Sequence, residues 1–162
     1  MFPQELLIMA QELIQKCKYM DLTISTAESC TGGLIAACIT SMPGSSEVFD
    51  SGFCTYSNKS KIQTLGISNS LILSHGAVSQ EVAIAMCEKA IEKSSVDLTV
   101  AVTGIAGPGG GTKQKPVGTV EIASAYSKKG TISRNFLFNG DRDEIRLLTV
   151  RQSIILLLNQ LE

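Results

Sequence analysis

The chain has 162 residues, of which 44% are hydrophobic and 18% are charged. This length suits one domain, and the high apolar content excludes an intrinsically disordered protein. The formal net charge is −1 and no segment clusters Lys and Arg, which argues against binding to nucleic acid or to an anionic membrane. We therefore expect one globular domain over residues 1–162, with neither nucleic acid nor a membrane as a partner.

The sequence also argues against a membrane anchor and a metal site. No apolar run approaches the roughly 18 residues that are needed to span a bilayer. The five cysteines show no C-x-x-C spacing, which disfavours a disulfide framework and a zinc site. The single histidine, His75, and the scattered carboxylates show no ligand spacing. We predict a cytoplasmic protein with reduced thiols, no metal and no cofactor.

Helix and strand patterns alternate along the chain. Apolar residues that recur at intervals of three and four predict helices, and short runs of apolar or β-branched residues predict strands. Two late strands flank a turn and predict a hairpin, so we expect an α/β fold, a three-layer α/β/α sandwich with a mixed β-sheet. In chain order we predict a helix over 3–19, a strand over 22–26, a helix over 34–39, a strand over 48–56, a short helix capped by Asn58 and ending at Gly66, a helix starting at Ser79, strands over 98–103, 117–125 and 131–138, and a helix over 141–161.

Ser29 is the first candidate for catalysis, because it lies where a predicted strand turns into a predicted helix. A side chain there is exposed at the carboxyl end of a sheet, and N–H groups of the following helix can hold a developing oxyanion. The positive end of that helix also favours a bound anion. An ordinary helix cap before Gly32 and Gly33 is the competing interpretation of the same serine.

A nucleophilic serine needs a base at neutral pH. His75 is the only histidine, but its neighbours are typical of an exposed turn, so we expect a structural or ligand-contacting role. Lys59 and Lys61 follow a predicted strand, and a lysine whose pKa is lowered by burial or by a second cation can serve as the base. Spacing alone does not choose between them, and such a charge pair usually lies on a solvated face.

A glycine-rich loop over residues 103–112 directly follows a predicted buried strand. Its backbone can approach a ligand closely and present N–H groups to a phosphate or carboxylate, although a flexible connection is equally consistent with it. It lacks the Gly-Lys-Ser/Thr ending of a Walker loop. Arg142 and Arg146 are four residues apart on the last predicted helix. They can bind a phosphate together, or pair with neighbouring carboxylates instead.

Six segments, read together, resemble a known family. They are AESCTGG at 27–33, YSN at 56–58 with Lys61 and Leu65-Gly66, HGAVS at 75–79, VTGIAGPGG at 102–110, KPVGTV at 115–120 and GDR at 140–142. In this order they resemble the CinA C-terminal domain family, also called the nicotinamide-nucleotide amidohydrolase family. Many members carry this domain after a larger N-terminal domain, and we expect this chain to be the stand-alone form.

The resemblance implies a three-layer α/β/α amidohydrolase that deamidates nicotinamide mononucleotide to nicotinate mononucleotide and ammonia, in pyridine-nucleotide recycling. It implies Ser29 as nucleophile, with Lys61 and Tyr56 as its activating partners. We expect Lys61 to take the Ser29 proton, and the N–H groups from Cys30 to Gly32 to hold the oxyanion. Substrate contacts are expected from Glu28, Cys30, Thr31, Gly32, Thr103, Gly104, Ala106, Gly107, Pro108, Gly109, Arg142 and Arg146.

Three alternatives stay open at this point. Cys30 adjoins Ser29 and competes as nucleophile, although adjacent residues at a helix start diverge by about 100° and only one can face the pocket. A catalytically idle nucleotide-binding or regulatory module and a hydrolase of another small amide are the rival functions. The expected partners are a small nucleotide substrate and further copies of this chain in a homo-oligomer, where Arg146 serves its own or a neighbouring pocket.

Overall fold

A single mixed sheet of five strands organises the fold in the computed structural model, which describes residues 1–162. The strands are β1 (Ile24–Glu28), β2 (Phe49–Cys54), β3 (Leu98–Gly104), β4 (Thr119–Tyr126) and β5 (Gly130–Leu137). The helices are α1 (Gln4–Met20), α2 (Leu34–Thr40), α3 (Asn58–Ser60), α4 (Asn69–His75), α5 (Gln80–Ser94) and α6 (Arg142–Gln160), with a 3-10 turn at Ser45–Glu47 and a π-helical turn at Lys61–Leu65.

The strand order places the ends of three parallel strands side by side. The order is β2-β1-β3-β4-β5, in which β1 runs parallel to β2 and β3, and β4 and β5 form the predicted antiparallel hairpin. Glu28, the last residue of β1, is in register with Cys54 of β2 and Val102 of β3. The segments that follow these strands therefore meet at one edge of the sheet, where ligands bind in open α/β sheets.

Helices cover both faces of the sheet, which confirms the predicted three-layer α/β/α sandwich. One core lies between the sheet and α1, α2 and α6, and the other lies between the sheet and α4 and α5. Side chains of β3 alternate between these cores: Val100 and Val102 pack in the first and Ala101 in the second. The second core also contains Ala27 and Ala123, whose small side chains let α5 lie close to the sheet. No helix has the length and apolar character that crossing a bilayer requires.

Several predicted boundaries in the first half of the chain differ from the structure. β1 ends at Glu28 and not at residue 26, and β2 ends at Cys54 and not at residue 56. β1 begins at Ile24 and not at residue 22, because Thr23 is held by the Asp97 carboxylate through its N–H (2.9 Å) and hydroxyl (3.1 Å). The short helix that follows β2 is capped by the side chain of Ser57 and not by Asn58. It then widens into the π-helical turn, which buries Lys61.

The helix α4 is an element that the apolar pattern does not predict. The Ser68 side chain caps it by accepting the Leu71 N–H at 3.2 Å. Ile72 is the only buried residue among the seven residues of α4. The segment therefore lacks the apolar stripe from which a helix is predicted. His75 is consequently the last residue of a helix and does not lie in the exposed turn that its neighbours suggest.

Candidate active site

Ser29 lies in the tight turn that follows β1. Its N–H donates to the Val102 carbonyl (3.1 Å), and its own carbonyl accepts from the Gly32 N–H (3.0 Å). These bonds hold the turn against the end of β3, and Ser29 lines a cavity at this edge of the sheet with 8% of its surface exposed. The structure therefore places the serine where the sequence predicts it, beyond the carboxyl end of a buried strand.

Glu28 occupies the N-terminus of α2 and is buried, with 1% of its surface exposed. Its carboxylate accepts from the N–H groups of Gly33 (3.0 Å), Ile35 (3.0 Å) and Ala36 (2.9 Å) and from the hydroxyl of Thr31 (2.6 Å). The positive end of α2 is thus neutralised by the protein's own carboxylate. The N–H groups that Glu28 occupies are therefore not free for a bound anion. Glu28 shapes the Ser29 turn and does not line the cavity, and its predicted contact with substrate stays a prediction.

The amine of Lys61 lies beside Ser29. Lys61 Nζ is 2.8 Å from Ser29 Oγ, 2.9 Å from the Thr55 carbonyl oxygen and 3.3 Å from the Tyr56 carbonyl oxygen. Only 1% of Lys61 is exposed, and this burial lowers the pKa of its amine. Lys59 is exposed, so Lys61 is the one of the two candidate lysines that turns inward.

The three oxygens around Lys61 Nζ suit a neutral amine, which has two N–H bonds and one lone pair. The carbonyls of Thr55 and Tyr56 can only accept hydrogen bonds, so they take both N–H bonds. The lone pair then faces the Ser29 hydroxyl, which can donate. After protonation, the same three oxygens can accept the three N–H bonds of the ammonium. A proton can therefore pass from Ser29 to Lys61 without movement of either side chain.

Tyr56 contacts this pair through its backbone and not through its phenol. Its carbonyl oxygen lies 3.3 Å from Lys61 Nζ and 3.5 Å from Ser29 Oγ. The residue is 57% exposed, and its hydroxyl accepts from the Arg142 guanidinium at 3.0 Å. The predicted activating partner thus touches Lys61 with a carbonyl oxygen, while the phenol lies at the rim of the cavity.

The cavity has a volume of about 270 Å³. It is lined by ten of the predicted site residues, namely Ser29, Cys30, Tyr56, Lys61, Thr103, Gly104, Ala106, Gly107, Gly109 and Arg142. Five predicted site residues do not line it, namely Glu28, Thr31, Gly32, Pro108 and Arg146. Ile105 and Gly110 also line it, as part of the glycine-rich loop that was expected to approach a ligand. Three lining residues were not predicted, namely Asn58, Ala77 and Val78.

Signals for some of the missed residues were present in the sequence. Asn58 belongs to the YSN segment and Ala77 and Val78 belong to the HGAVS segment, both of which carry the family resemblance. Small apolar side chains suggest no chemistry by themselves, so Ala77 and Val78 did not stand out. Their contribution is to the shape of the wall, which only the packed structure reveals.

Arg142 and Arg146 do not converge on one ligand. Arg142 lies at the cavity and donates to the Gly107 carbonyl at 2.8 Å. Arg146 points toward the Ser29 turn and donates to the Thr31 carbonyl at 2.9 Å. Arg142 holds the glycine-rich loop and Arg146 braces the turn, so the two guanidinium groups do not face one common site in this structure. A contact of either one with a phosphate stays a prediction.

Cys30 and His75 are poorly placed to replace Ser29 and Lys61. Cys30 is 6% exposed and packs in the core on the α1, α2 and α6 side. Burial raises the pKa of its thiol to about 11, so little nucleophilic thiolate exists at neutral pH. His75 Nδ1 lies 3.4 Å from a Glu81 carboxylate oxygen, and His75 does not line the cavity. The geometry favours the serine and lysine pair.

The chain matches the family model of the CinA C-terminal domain over residues 7–161. It is 43% identical over 146 residues to nicotinamide-nucleotide amidohydrolase PncC of Escherichia coli K12, a match that covers 90% of this chain and 88% of that protein. It is 55% identical over 127 residues to a CinA-like protein of Geotalea daltonii, which covers 78% of this chain but 30% of that longer protein. This chain therefore spans about a third of the length of its CinA-like relatives.

Solved structures share the fold over nearly the whole chain. The crystal structure of competence/damage inducible protein CihA from Agrobacterium tumefaciens has a TM-score of 0.96 and 41% identity, and the match covers 98% of this chain and 97% of that one. The competence or damage-inducible protein from Enterobacter asburiae has a TM-score of 0.92 and 29% identity, with 97% and 98% covered. The name of the Escherichia coli relative agrees with the predicted class of enzyme, an amidohydrolase. The chain belongs to the CinA C-terminal domain family, as its six matching segments predict.

Proposed function

We propose that this protein is an amidohydrolase that converts nicotinamide mononucleotide to nicotinate mononucleotide and ammonia. The observation that carries the proposal is the buried Lys61 amine, 2.8 Å from the Ser29 hydroxyl in the wall of a cavity. A serine beside a neutral amine has the nucleophile and the base that acyl transfer from an amide requires. The choice of substrate is supported by the relative that is named nicotinamide-nucleotide amidohydrolase and is 43% identical.

In the first step, Lys61 Nζ takes the Ser29 proton while Ser29 Oγ attacks the carboxamide carbon. A new C–O bond forms, and the carbonyl electron pair moves to the oxygen of a tetrahedral oxyanion. The backbone N–H groups of Cys30 and Thr31 donate to no other residue of the protein and are the donors proposed for that oxyanion. Gly32 is removed from the predicted set of donors, because its N–H already donates to the Ser29 carbonyl.

In the second step, the C–N bond breaks and the leaving nitrogen takes the proton from Lys61, so that ammonia departs. The nicotinoyl group is left as an ester on Ser29. Water then attacks this ester, Lys61 takes a proton from the water, and the same proton returns to Ser29 Oγ as the ester C–O bond breaks. Lys61 thus acts as base and acid in each half of the reaction, and the enzyme ends in its starting state.

The phosphate of the substrate is proposed to lie toward Arg142 and the glycine-rich loop. Arg142 and Lys61 are the two cationic side chains that line the cavity. The N–H groups of Gly107, Gly109 and Gly110 donate to no acceptor within the protein. Free backbone N–H groups beside a guanidinium favour a phosphate as their ligand.

We further propose that the protein works in the cytoplasm, in pyridine-nucleotide recycling, and assembles as a homo-oligomer. The proposed nucleotide substrate supports the cytoplasm as the location of the protein. The exposed apolar side chains of Ile8, Tyr19 and Leu73 are available for contacts between subunits. The net charge of −1 supports the absence of nucleic acid among the partners.

A substrate panel tests this proposal by measuring ammonia release from nicotinamide mononucleotide, nicotinamide riboside and nicotinamide. We expect the mononucleotide to be preferred over the riboside by at least about tenfold in kcat/KM, because charge-assisted contacts to the phosphate are worth more than 1.4 kcal/mol. Arg142→Gln should remove most of this preference. Arg134→Gln is the matched control, since Arg134 is exposed on β5 and does not line the cavity.

Two other outcomes would favour the rival functions. Thermal stabilisation by the mononucleotide without ammonia release would indicate a binding module. Equal turnover of the phosphorylated and unphosphorylated amides would indicate a hydrolase of another small amide, and would remove the role given to Arg142.

A further inference from the structure

Lys115 joins two walls of the cavity. It lies in the connection between β3 and β4, just after the glycine-rich loop, and its Nζ donates to the His75 carbonyl (3.1 Å) and to the Val78 carbonyl. The second wall is the connection 76–79 between α4 and α5, of which Ala77 and Val78 line the cavity. The first wall is the glycine-rich loop, whose residues also line the cavity. The Lys115 side chain therefore links the glycine-rich loop to the 76–79 connection.

The carbonyls of the second wall depend on side chains for their hydrogen bonds. No backbone N–H donates to the carbonyls of residues 75–78. The other two acceptors are Gly76, which accepts from the Ser79 hydroxyl at 2.8 Å, and Ala77, which accepts from the Thr103 hydroxyl at 2.8 Å. Because Lys115 supplies two of the four partners, its removal leaves two carbonyls without a donor.

The backbone of Lys115 is also fixed. Its N–H donates to the Thr112 hydroxyl at 3.0 Å, and its carbonyl accepts from the Thr112 N–H at 2.8 Å. This turn ties Lys115 to the end of the glycine-rich loop, so the position of the loop determines the position of the ammonium group. Lys115 makes no contact with Ser29 or Lys61.

We infer that Lys115 is a positioning residue that sets the distance between the two walls of the cavity and so controls substrate binding. The inference rests on the proposed function, and it assigns Lys115 to binding and not to the chemistry of Ser29 and Lys61. Without the ammonium group, the two walls lose this link and must be brought into their bound positions by the substrate. The free energy that this ordering costs lowers the affinity for the substrate. We therefore expect removal of the ammonium group to raise KM.

The test compares Lys115→Met with Lys113→Met, a matched control. Lys113 lies in the same connection but is exposed and makes no hydrogen bond or ion pair. For Lys115→Met we expect KM for nicotinamide mononucleotide to rise about tenfold, with kcat within about threefold of the wild type. Lys115→Arg keeps a charged donor and should restore most of the affinity, while Lys113→Met should match the wild type.

A second readout separates positioning from general damage. Labelling of Ser29 by a fluorophosphonate reports the nucleophile without any nucleotide, and its rate should be the same in Lys115→Met and the wild type. An unchanged KM, an equal fall in kcat and labelling, or failure of Lys115→Met to fold would overturn the inference.

Calorimetric measurement of nucleotide binding distinguishes failure of the proposed function from failure of the inference about Lys115. If the wild type binds nicotinamide mononucleotide but releases no ammonia, the proposed reaction is wrong, and the Kd values of the two methionine variants decide the role of Lys115. A Kd about tenfold weaker in Lys115→Met than in Lys113→Met supports the inference, and equal Kd values overturn it. A wild type that does not bind the nucleotide overturns both proposals.

Discussion

Lys61 is the only lysine of the chain that is fully buried, and no carboxylate pairs with it. A buried ammonium without a counter-charge is costly, so the neutral amine is favoured. The carbonyls of Thr55 and Tyr56 then orient this amine toward Ser29. Two backbone carbonyls thus have the orienting role that a carboxylate has beside a catalytic histidine.

The pH profile of kcat/KM should therefore report Lys61. Burial lowers the pKa of Lys61 from its usual value of about 10.4, and only the neutral amine can accept the Ser29 proton. Activity should rise with pH through this lowered pKa and should fall below it as the amine becomes protonated. Lys61→Arg, which stays protonated, should lose at least about 10³-fold in kcat/KM across the measured range.

Lys59→Arg is the control for this profile, because Lys59 is exposed and is not a neighbour of Ser29. It should keep the wild-type profile. If His75→Gln abolished the acidic limb and Lys61→Arg kept it, the base would be His75 and the assignment of Lys61 would be wrong.

At this scale the sequence identifies residues better than it identifies their atoms. Ser29 is a candidate because a serine before two glycines follows a predicted strand. The pattern leaves Lys59 and Lys61 open as the base, and only the family resemblance selects Lys61. Tyr56 is also selected by the resemblance, but the residue type does not reveal that its carbonyl oxygen, and not its phenol, contacts Lys61. The sequence likewise does not reveal that the Glu28 carboxylate points into the turn and away from the cavity, since its direction depends on the three-dimensional turn.

The turn between β1 and α2 depends on the Glu28 carboxylate, which makes four hydrogen bonds. In Glu28→Gln, one oxygen is replaced by an NH₂ group that faces N–H donors and cannot accept from them. We expect the free energy of unfolding to fall by about 2 kcal/mol, the cost of unpaired buried donors. We also expect kcat to fall at least about tenfold, because the Ser29 turn loses its support.

Urea unfolding and ammonia release measure the two effects of Glu28→Gln. Glu12→Gln is the control, since it removes an exposed ion pair with Lys16 (3.4 Å) and should change stability by less than about 1 kcal/mol. Wild-type stability and wild-type kcat in Glu28→Gln would show that the carboxylate is not needed to hold this turn.

Periodic apolar patterns explain which elements are predictable. α1 buries Leu6, Ala10, Leu13, Ile14 and Cys17, and this spacing is visible in the sequence. The π-helical turn is different, because the spacing of apolar side chains does not reveal its wider hydrogen-bond pattern. It buries both Lys61 and Leu65, so the sequence predicts a helix that ends at Gly66 but not the π-helical form that places the proposed base.

Across the whole molecule, the site results from the parallel arrangement of three strands. The turn after β1 supplies Ser29, the segment after β2 supplies Lys61, and the end of β3 supplies Thr103 and Gly104. Alternating helices and strands predict this convergence. They do not predict the wall at Ala77 and Val78, which depends on how the α4–α5 connection lies over the sheet.

Ser29 and Lys61 are proposed to cleave the amide of nicotinamide mononucleotide together. Ammonia release by the wild type, Ser29→Ala, Lys61→Met and Cys30→Ala in one assay tests this proposal most directly. We predict turnover by the wild type, a loss of at least about 10³-fold in the first two variants, and activity within about tenfold of the wild type in Cys30→Ala. Retention of activity by Ser29→Ala, or its loss in Cys30→Ala alone, would contradict the proposal.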